Sequence, residues 1–115
     1  MYTVEPTNQF KKQYKRLINK YPKSQEEFEK RFESLEKGDF VGEEYNNLGL
    51  PSGESVYKVR VANIDANKGK SGGFRLIYYV IVNDEWVYLL GVYTKSEVVN
   101  MKQSEIMEII KKYCN

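Results

Sequence analysis

The sequence contains no histidine, and this absence excludes several kinds of active site. Ser-His-Asp and Cys-His triads need an imidazole, as do histidine-ligated zinc sites and nucleases built on a histidine acid–base pair. Any acid–base chemistry in this chain therefore has to use lysine, arginine, tyrosine, aspartate or glutamate.

Cysteine is almost as scarce, since Cys114 is the only one in 115 residues. A single cysteine cannot close an intrachain disulfide or build a cysteine cluster around a metal ion, and its presence fits a reducing compartment. Because no histidine is available to activate it, we do not expect Cys114 to act as a nucleophile.

Long apolar runs are also missing. No stretch approaches the roughly 18 residues needed to cross a bilayer. Residues 1–5 have neither the basic start nor the apolar run of a secretory signal. Hydrophobic residues make up 41% of the chain and charged residues 30%. We therefore expect a single cytoplasmic domain over residues 1–115, with no membrane partner.

The charges are unevenly distributed, although the net charge is only +2. Between Lys11 and Lys23 there are six basic residues and no acid. Between Lys58 and Arg75 there are five basic residues, and Asp65 is the only acid. These two segments are candidate anion-binding surfaces on a nearly neutral protein.

The N-terminal part of the chain has the pattern of a short strand followed by two helices. Residues 2–5 alternate weakly, and Thr7 or Asn8 can cap the first helix. Ser24, with Glu27 three residues later, is a capping-box signature for the second. Apolar residues at helical spacing mark the two buried faces: Phe10, Tyr14, Leu17, Ile18, Tyr21, Phe28, Phe32 and Leu35. We predict a helical hairpin.

The C-terminal part has the pattern of a sheet followed by a helix. Residues 57–61, 74–82 and 86–93 alternate or are rich in β-branched and aromatic residues, which predicts three antiparallel strands in a meander. Asn100, with Gln103 three residues later, can cap a last helix. The order β-α-α-β-β-β-α predicts an α+β fold, in which the helical hairpin and the C-terminal helix pack on a small antiparallel sheet.

The predicted meander gathers cations on one side of the sheet. Lys58 and Arg60 are two residues apart and share a face, and the next strand places Arg75 beside them. The connecting loop adds Lys68 and Lys70. Five cations in one region repel each other unless a polyanion relieves the repulsion. The alternative is that they are merely solvated on an open sheet face.

Two other ligands are not supported by the sequence. The string at residues 69–71, Gly-Lys-Ser, is not the end of a P-loop, because Ile64 stands where the first glycine is needed and a strand follows. The acids Asp65, Asp84 and Glu97 are far apart and share no spacing suited to one metal ion. We expect neither a metal ion nor another cofactor.

Three segments resemble the successive sheet motifs of the RelE/HigB toxin superfamily, particularly its HigB-like branch. They are Lys-Val-Arg-Val at residues 58–61, the glycine-rich loop and strand at residues 69–79, and the strand ending in Y-x-K-x-E at residues 88–97. The N-terminal half matches only as a pattern of helices. The resemblance implies a microbial RNase-like fold and metal-independent cleavage of messenger RNA in the ribosomal A site. It also implies a cognate antitoxin that silences the enzyme.

Cleavage of RNA without a metal requires a base for the 2′-hydroxyl, cations for the phosphate and an acid for the leaving 5′-oxygen. Neighbouring cations favour the neutral form of a lysine, which would let Lys58 act as the base, while Arg60 and Arg75 bind phosphate oxygens. By its place in the Y-x-K-x-E pattern, Lys95 is the acid or a further phosphate contact.

Other residues are predicted to bind RNA, or have two alternative roles. We expect Lys68 and Lys70 to hold the RNA backbone. Tyr79 shares the predicted face of Arg75 and either stacks on a base or is a buried sheet aromatic. Some RelE-type toxins carry a catalytic tyrosine shortly after the last basic residue, where this chain has Val-Val-Asn-Met at residues 98–101. The acid is therefore uncertain.

Two rival functions and one further surface stay open. A ParE-like toxin of the same fold would poison DNA gyrase, although such proteins usually lack the full set of cleft cations. A RelE-fold module without activity would bind its ligand and leave it intact. The lysines of the first helix either grip ribosomal RNA or form an ordinary solvated face: Lys11, Lys12, Lys15 and Lys20.

Overall fold

The computed structural model describes residues 1–67, 69, 72–97 and 101–113. The strands are β1 (Thr3–Pro6), β2 (Glu43–Glu44), β3 (Glu54–Val61), β4 (Phe74–Ile81) and β5 (Trp86–Thr94). The helices are α1 (Asn8–Lys20), α2 (Gln25–Glu36) and α3 (Gln103–Tyr113), and one turn of 3₁₀ helix, Pro22–Ser24, joins the first two. The predicted α+β class is confirmed.

The five strands form one sheet in the order β1-β5-β4-β3-β2. Strands β3, β4 and β5 are the predicted antiparallel meander. Strand β1 pairs with β5 in the parallel direction, so the sheet is mixed where the sequence predicted an antiparallel one. This pairing joins segments about 80 residues apart, and a local period of two carries no information about such a partner.

Helices cover both sides of the sheet. Helices α1 and α2 pack on one side, here called the hairpin face, and α3 packs on the other, here called the α3 face. Along β4, Phe74, Leu76 and Tyr78 belong to the hairpin face, whereas Ile77 and Tyr79 belong to the α3 face. Because both faces are covered, seven of the eight β4 residues are buried, and this strand forms the centre of the molecule.

Strand β3 follows the predicted alternation. Val59 and Val61 are buried in the core of the hairpin face. Successive side chains of a strand point to opposite sides, so Lys58 and Arg60 project from the α3 face. A one-residue shift in the register of β3 would move these cations to the hairpin face. Burial of the valines disfavours such a shift, because it would expose them.

Helix α1 begins and packs as its sequence indicates. The Thr7 hydroxyl accepts a hydrogen bond from the Phe10 amide at 3.2 Å, an N-cap that typically stabilises a helix by about 1 kcal/mol. Phe10 and Leu17 are buried against the sheet, and the lysines of the helix are exposed. No helix in the described part of the chain is long and apolar enough to span a membrane.

Helix α2 does not begin with the predicted capping box. Ser24 is fully buried, and its hydroxyl donates to a carboxylate oxygen of Asp65 at 2.7 Å. The Ser24 hydroxyl oxygen also accepts from the Ile64 amide at 3.0 Å, so it is not used to cap the helix. The prediction was wrong because a tertiary partner from the loop after β3 replaces the local one.

Candidate active site

The α3 face carries the three cations that the sequence assigned to the β3–β4 hairpin. Arg60 and Arg75 are direct cross-strand partners, and Lys58 lies two residues before Arg60 on the same face. Directly opposed side chains in an antiparallel pair have Cβ atoms about 5 Å apart. The register thus gathers these three residues into one cluster, here called the cation patch.

The two arginines of the patch differ in their surroundings. Arg75 is only 8% exposed, and its Nη1 donates to the Phe74 carbonyl at 3.3 Å. Arg60 is exposed, and its side chain makes no hydrogen bond or ion pair with any described residue. Burial holds Arg75 in place, whereas the Arg60 side chain retains the freedom to move toward an anion.

Lys58 has an acidic neighbour that the sequence analysis did not identify. Strand β2 pairs Glu43 with Lys58, and a Glu43 carboxylate oxygen lies 4.0 Å from the Lys58 Nζ. The Lys58 side chain is 18% exposed, and that of Glu43 is 76% exposed. Glu43 stands in a polar segment with no alternating pattern, so no sequence signal connected it with the patch.

A β-bulge places the end of β5 on the α3 face. Ile77 pairs with Gly91 and Tyr78 pairs with Leu89, which leaves Leu90 as an extra residue in β5. Beyond the bulge the side-chain alternation is reversed, so that Tyr93 lies opposite Arg75. Without the extra residue, this end of β5 would present the opposite set of side chains to the patch.

Helix α1 supports the bulged segment. The Gln13 side-chain oxygen accepts a hydrogen bond from the Val92 amide at 2.9 Å, and it lies close to Gly91. The Met101 side chain occupies the space beside Gly91, where a Cβ would lie 2.8 Å from Met101 Cε. A glycine inside a strand is a known signal of a bulge or a close approach, and Gly91 has both properties.

Lys95 lies in the turn that follows β5, and Glu97 holds this turn closed. The Glu97 carboxylate accepts from the Thr94 amide at 3.0 Å, from the Thr94 hydroxyl at 2.8 Å and from the Arg16 guanidinium at 2.8 Å. Although partial burial acts in the opposite direction, the Thr94 hydrogen bonds and Arg16 hold the pKa of Glu97 below its ordinary value. The last residue of the Y-x-K-x-E pattern thus fixes the turn that carries its lysine.

The backbone of Lys95 is also tied to the start of β4. Its amide donates to the Gly73 carbonyl at 3.3 Å. A Cβ on Gly73 would lie 2.2 Å from the Val61 carbonyl oxygen, so only glycine permits this approach of the two chain segments. The ends of β3 and β4 therefore approach each other closely at Gly73.

Tyr79 lies on the α3 face, as the strand period predicted, but it is buried. It is 4% exposed, its ring stacks on Tyr88 at 6.2 Å between centroids, and its hydroxyl donates to Glu54. Of the two roles left open for Tyr79, this position fits the buried sheet aromatic, because neither face of the ring is offered to a base.

The hydroxyl of Tyr93 is a buried group that the sequence analysis overlooked. It makes no hydrogen bond with the described residues, while the nearby Met101 carbonyl accepts from Tyr45 at 3.3 Å. Burial raises the pKa of Tyr93, while the nearby Met101 backbone and, less strongly, Arg75 act in the opposite direction. Tyr93 therefore keeps its proton at neutral pH beside the patch.

A cleft of about 610 Å³ opens at the end of the sheet beside Lys95. Its lining includes Tyr21, Asn63, Thr94 and Ser96. This volume lies within the range of sites for small organic ligands, roughly 300–1,000 Å³. The cleft has room for a nucleotide next to the lysine that the family pattern singles out.

Several predicted features lie outside the described residues. They are Lys68 and Lys70, the cap at Asn100 and the Val98–Val99 part of the stretch where a catalytic tyrosine was sought. Among the residues that are described, no group of three or more acids or cysteines is placed to hold a metal ion.

One comparison with known proteins gives a match. A family model described as "RelE toxin of RelE / RelB toxin-antitoxin system" matches residues 10–114, which is nearly the whole chain. No curated protein and no solved structure matches the chain significantly. The matched segment contains the cation patch, the bulged strand and the turn that carries Lys95.

Proposed function

The chain belongs to the RelE family of toxins, and we propose on that premise that it is a metal-independent endoribonuclease. Its substrate is messenger RNA in the ribosomal A site, and its action inhibits translation in the cytoplasm. The direct pairing of Arg60 with Arg75, with Lys58 on the same face, is the observation that carries the proposal. Within the family we assign the chain to the HigB-like branch.

As a toxin of a toxin–antitoxin system, the protein has an antitoxin as its partner. A nuclease acting on messenger RNA must be held inactive in the cell that makes it. The proposed partners during activity are the ribosome and its messenger RNA, and no small-molecule cofactor takes part.

The proposed reaction is an in-line transfer within the RNA. Lys58 accepts the proton of the 2′-hydroxyl, and the 2′-oxygen forms a bond to phosphorus as the bond to the 5′-oxygen breaks. Lys95 donates a proton to that 5′-oxygen. The products are a 2′,3′-cyclic phosphate and a free 5′-hydroxyl, and no water is consumed in this step.

Arg60 and Arg75 stabilise the charge that builds on the phosphate. A guanidinium stays protonated and presents a fork of donors that matches two phosphate oxygens. Because Arg75 is buried and fixed, it requires little reorganisation as the charge develops, which is the favourable case for electrostatic catalysis. Lys68 and Lys70 hold the flanking RNA backbone in this proposal, and Tyr79 does not contact the RNA.

The ribosome has a defined part in this mechanism. In-line attack requires the 2′-oxygen, the phosphorus and the 5′-oxygen to lie on one line, a geometry that free single-stranded RNA rarely adopts. Holding reactants in such a geometry contributes several kcal/mol to lowering a barrier, roughly 7–11 in the best cases. The A site supplies this alignment, and the toxin supplies the charged side chains.

The proposal is tested by adding the purified protein to a translation reaction and mapping the 5′ ends of the messenger RNA. Wild-type protein is expected to give cuts within codons on ribosomes. Lys58→Ala and Arg75→Ala are expected to lower cutting at least about a hundredfold, since each removes a group that acts in the transition state. Lys37→Ala removes an exposed cation outside the patch and is the matched control.

The fold of each variant is checked by circular dichroism, because Arg75 is buried, and Arg75→Lys serves as a milder second variant. Undiminished cutting by folded Lys58→Ala and Arg75→Lys would contradict the proposed site. Intact messenger RNA together with arrested DNA supercoiling would assign the protein to a gyrase-poisoning function. Binding of RNA without any cut would assign it to a non-catalytic module.

A further inference from the structure

A second cationic pocket lies around the edge of the sheet from the cation patch. A notch of about 150 Å³ separates α2 from the end of β3, and it is here called the α2 notch. Its lining from β3 consists of Arg60, Val61 and Ala62. Its lining from α2 consists of Glu27, Lys30, Arg31 and Ser34.

The α2 residues of the notch form one stripe along the helix. They stand at positions i, i+3, i+4 and i+7, which lie on the same side of an α-helix. The buried residues Phe28 and Leu35 belong to the side that packs on the sheet. The stripe is thus a polar surface next to the core-facing side, turned toward the β3 edge.

The charges in the notch are only partly compensated. Lys30 pairs with Glu27 at 3.3 Å, and the Ser34 hydroxyl donates to the Lys30 carbonyl at 3.1 Å. Arg31 is half-buried, yet neither its side chain nor that of Arg60 makes a hydrogen bond or ion pair with any described residue. Two guanidiniums without anionic partners therefore line one small pocket, and their repulsion favours the entry of an anion.

From this arrangement we infer that the α2 notch binds a phosphate group of single-stranded RNA. The notch has the volume of about five water molecules, taking about 30 Å³ for each, which is enough for one phosphate. Arginine forks suit phosphate oxygens, and the pocket is polar where a base would need an apolar or aromatic wall.

The position of Arg60 connects the notch with the proposed active site. Arg60 pairs with Arg75 across the sheet and also lines the notch. An RNA backbone that crosses the patch can therefore continue past Arg60, over the β3 edge, to Arg31. This inference rests on the proposed function and adds the direction in which the RNA runs.

The inference is tested by measuring how a 12-nucleotide single-stranded RNA binds to the full chain at several salt concentrations. Arg31→Gln is expected to weaken binding about three- to tenfold and to reduce the salt slope by about 0.7, the loss of one phosphate contact. Arg31→Lys is expected to keep the wild-type slope, because it keeps the charge. Arg31→Glu is expected to weaken binding more than Arg31→Gln does.

Lys37→Gln, an exposed change at the end of the same helix, is the control and is expected to leave both affinity and slope unchanged. A wild-type slope for Arg31→Gln, with weakened binding by Arg60→Gln, would overturn the notch and leave the proposed function standing. Wild-type salt slopes for both Arg31→Gln and Arg60→Gln would overturn the α2 notch and the proposed function together. If Arg31→Gln keeps the wild-type salt slope for RNA but binds a poly-glutamate peptide more weakly than wild type does, the notch is a site for an acidic protein segment. That result would overturn the RNA site.

Discussion

Gly73 lies where the ends of β3, β4 and β5 meet. A Cβ there would lie 2.2 Å from the Val61 carbonyl oxygen, and backbone atoms cannot move aside as a flexible side chain can. We expect Gly73→Ala to lower the free energy of unfolding by about 3 kcal/mol, the upper part of the usual range for overpacking. It should also lower RNA cleavage, because the Gly73 carbonyl holds the Lys95 amide.

Gly69 gives the matched control for this prediction. A Cβ on Gly69 meets no atom of the described residues within 4 Å, so Gly69→Ala is accommodated without a clash among them. We expect it to change stability by less than about 0.5 kcal/mol, the range of ordinary surface substitutions. Urea unfolding of the two variants measures the difference, and equal stabilities would contradict the close approach at Gly73.

For single residues, the sequence predicted the side of the sheet on which a side chain lies, but not the side chain with which it pairs. The period of two placed Lys58 and Arg60 on one face and Tyr79 on the face of Arg75, because alternation is a local property of a strand. It did not identify Glu43 beside Lys58, or Asp65 beside Ser24, because both pairs form between segments distant in the chain. Polar side chains that satisfy one another across the fold leave no periodic signal.

The turn after β5 depends on the charge of Glu97. The pKa of Glu97 is lower in the folded protein than its ordinary value, so this carboxylate contributes stability in full above the pKa of the unfolded chain, about 4.3. The contribution is lost as the pH falls through the folded pKa. We expect Glu97→Gln to be less stable than wild type at neutral pH and equal to it at the acid end.

Urea unfolding of wild type and Glu97→Gln between about pH 3 and pH 7 measures this dependence. Glutamine keeps an acceptor for Thr94, so the variant removes mainly the charge that pairs with Arg16. Glu108→Gln, an exposed change on α3, is the control, since the Glu108 side chain has no hydrogen bond or ion pair with a described residue. A stability difference for Glu97→Gln that is the same at every pH would contradict the role of its charge.

The elements themselves were largely predictable, but the bulge in β5 was not. The apolar run from Trp86 to Tyr93 has residues suited to both faces, so its sequence fits a regular strand as well as a bulged one. The one available signal was Gly91 inside the strand. Because the bulge decides which face Tyr93 takes, the geometry of the site at β5 depended on a feature that period alone does not encode.

For the whole molecule, the α+β class and the meander followed from patterns that change from a period of 3.6 to a period of two. The distribution of helices over two faces did not follow from those patterns, and neither did the parallel pairing of β1 with β5. Both depend on the packing of distant segments. The covering of both faces by helices also separates the two basic segments found in the sequence. The first lies largely on α1, which packs on the hairpin face, and the second supplies the cation patch on the α3 face.

That separation makes the role of the α1 lysines testable. Lys12 and Lys15 are exposed on α1, across the sheet from the patch, so they are not part of the cation patch. If these lysines bind ribosomal RNA, the double variant Lys12→Gln/Lys15→Gln will cut messenger RNA on ribosomes about tenfold less than wild type. Its affinity for a short free RNA will stay that of wild type. Lys37→Gln/Lys111→Gln, with the same change in net charge, controls for long-range attraction. Equal cutting by both double variants would mean that this face of α1 is only solvated.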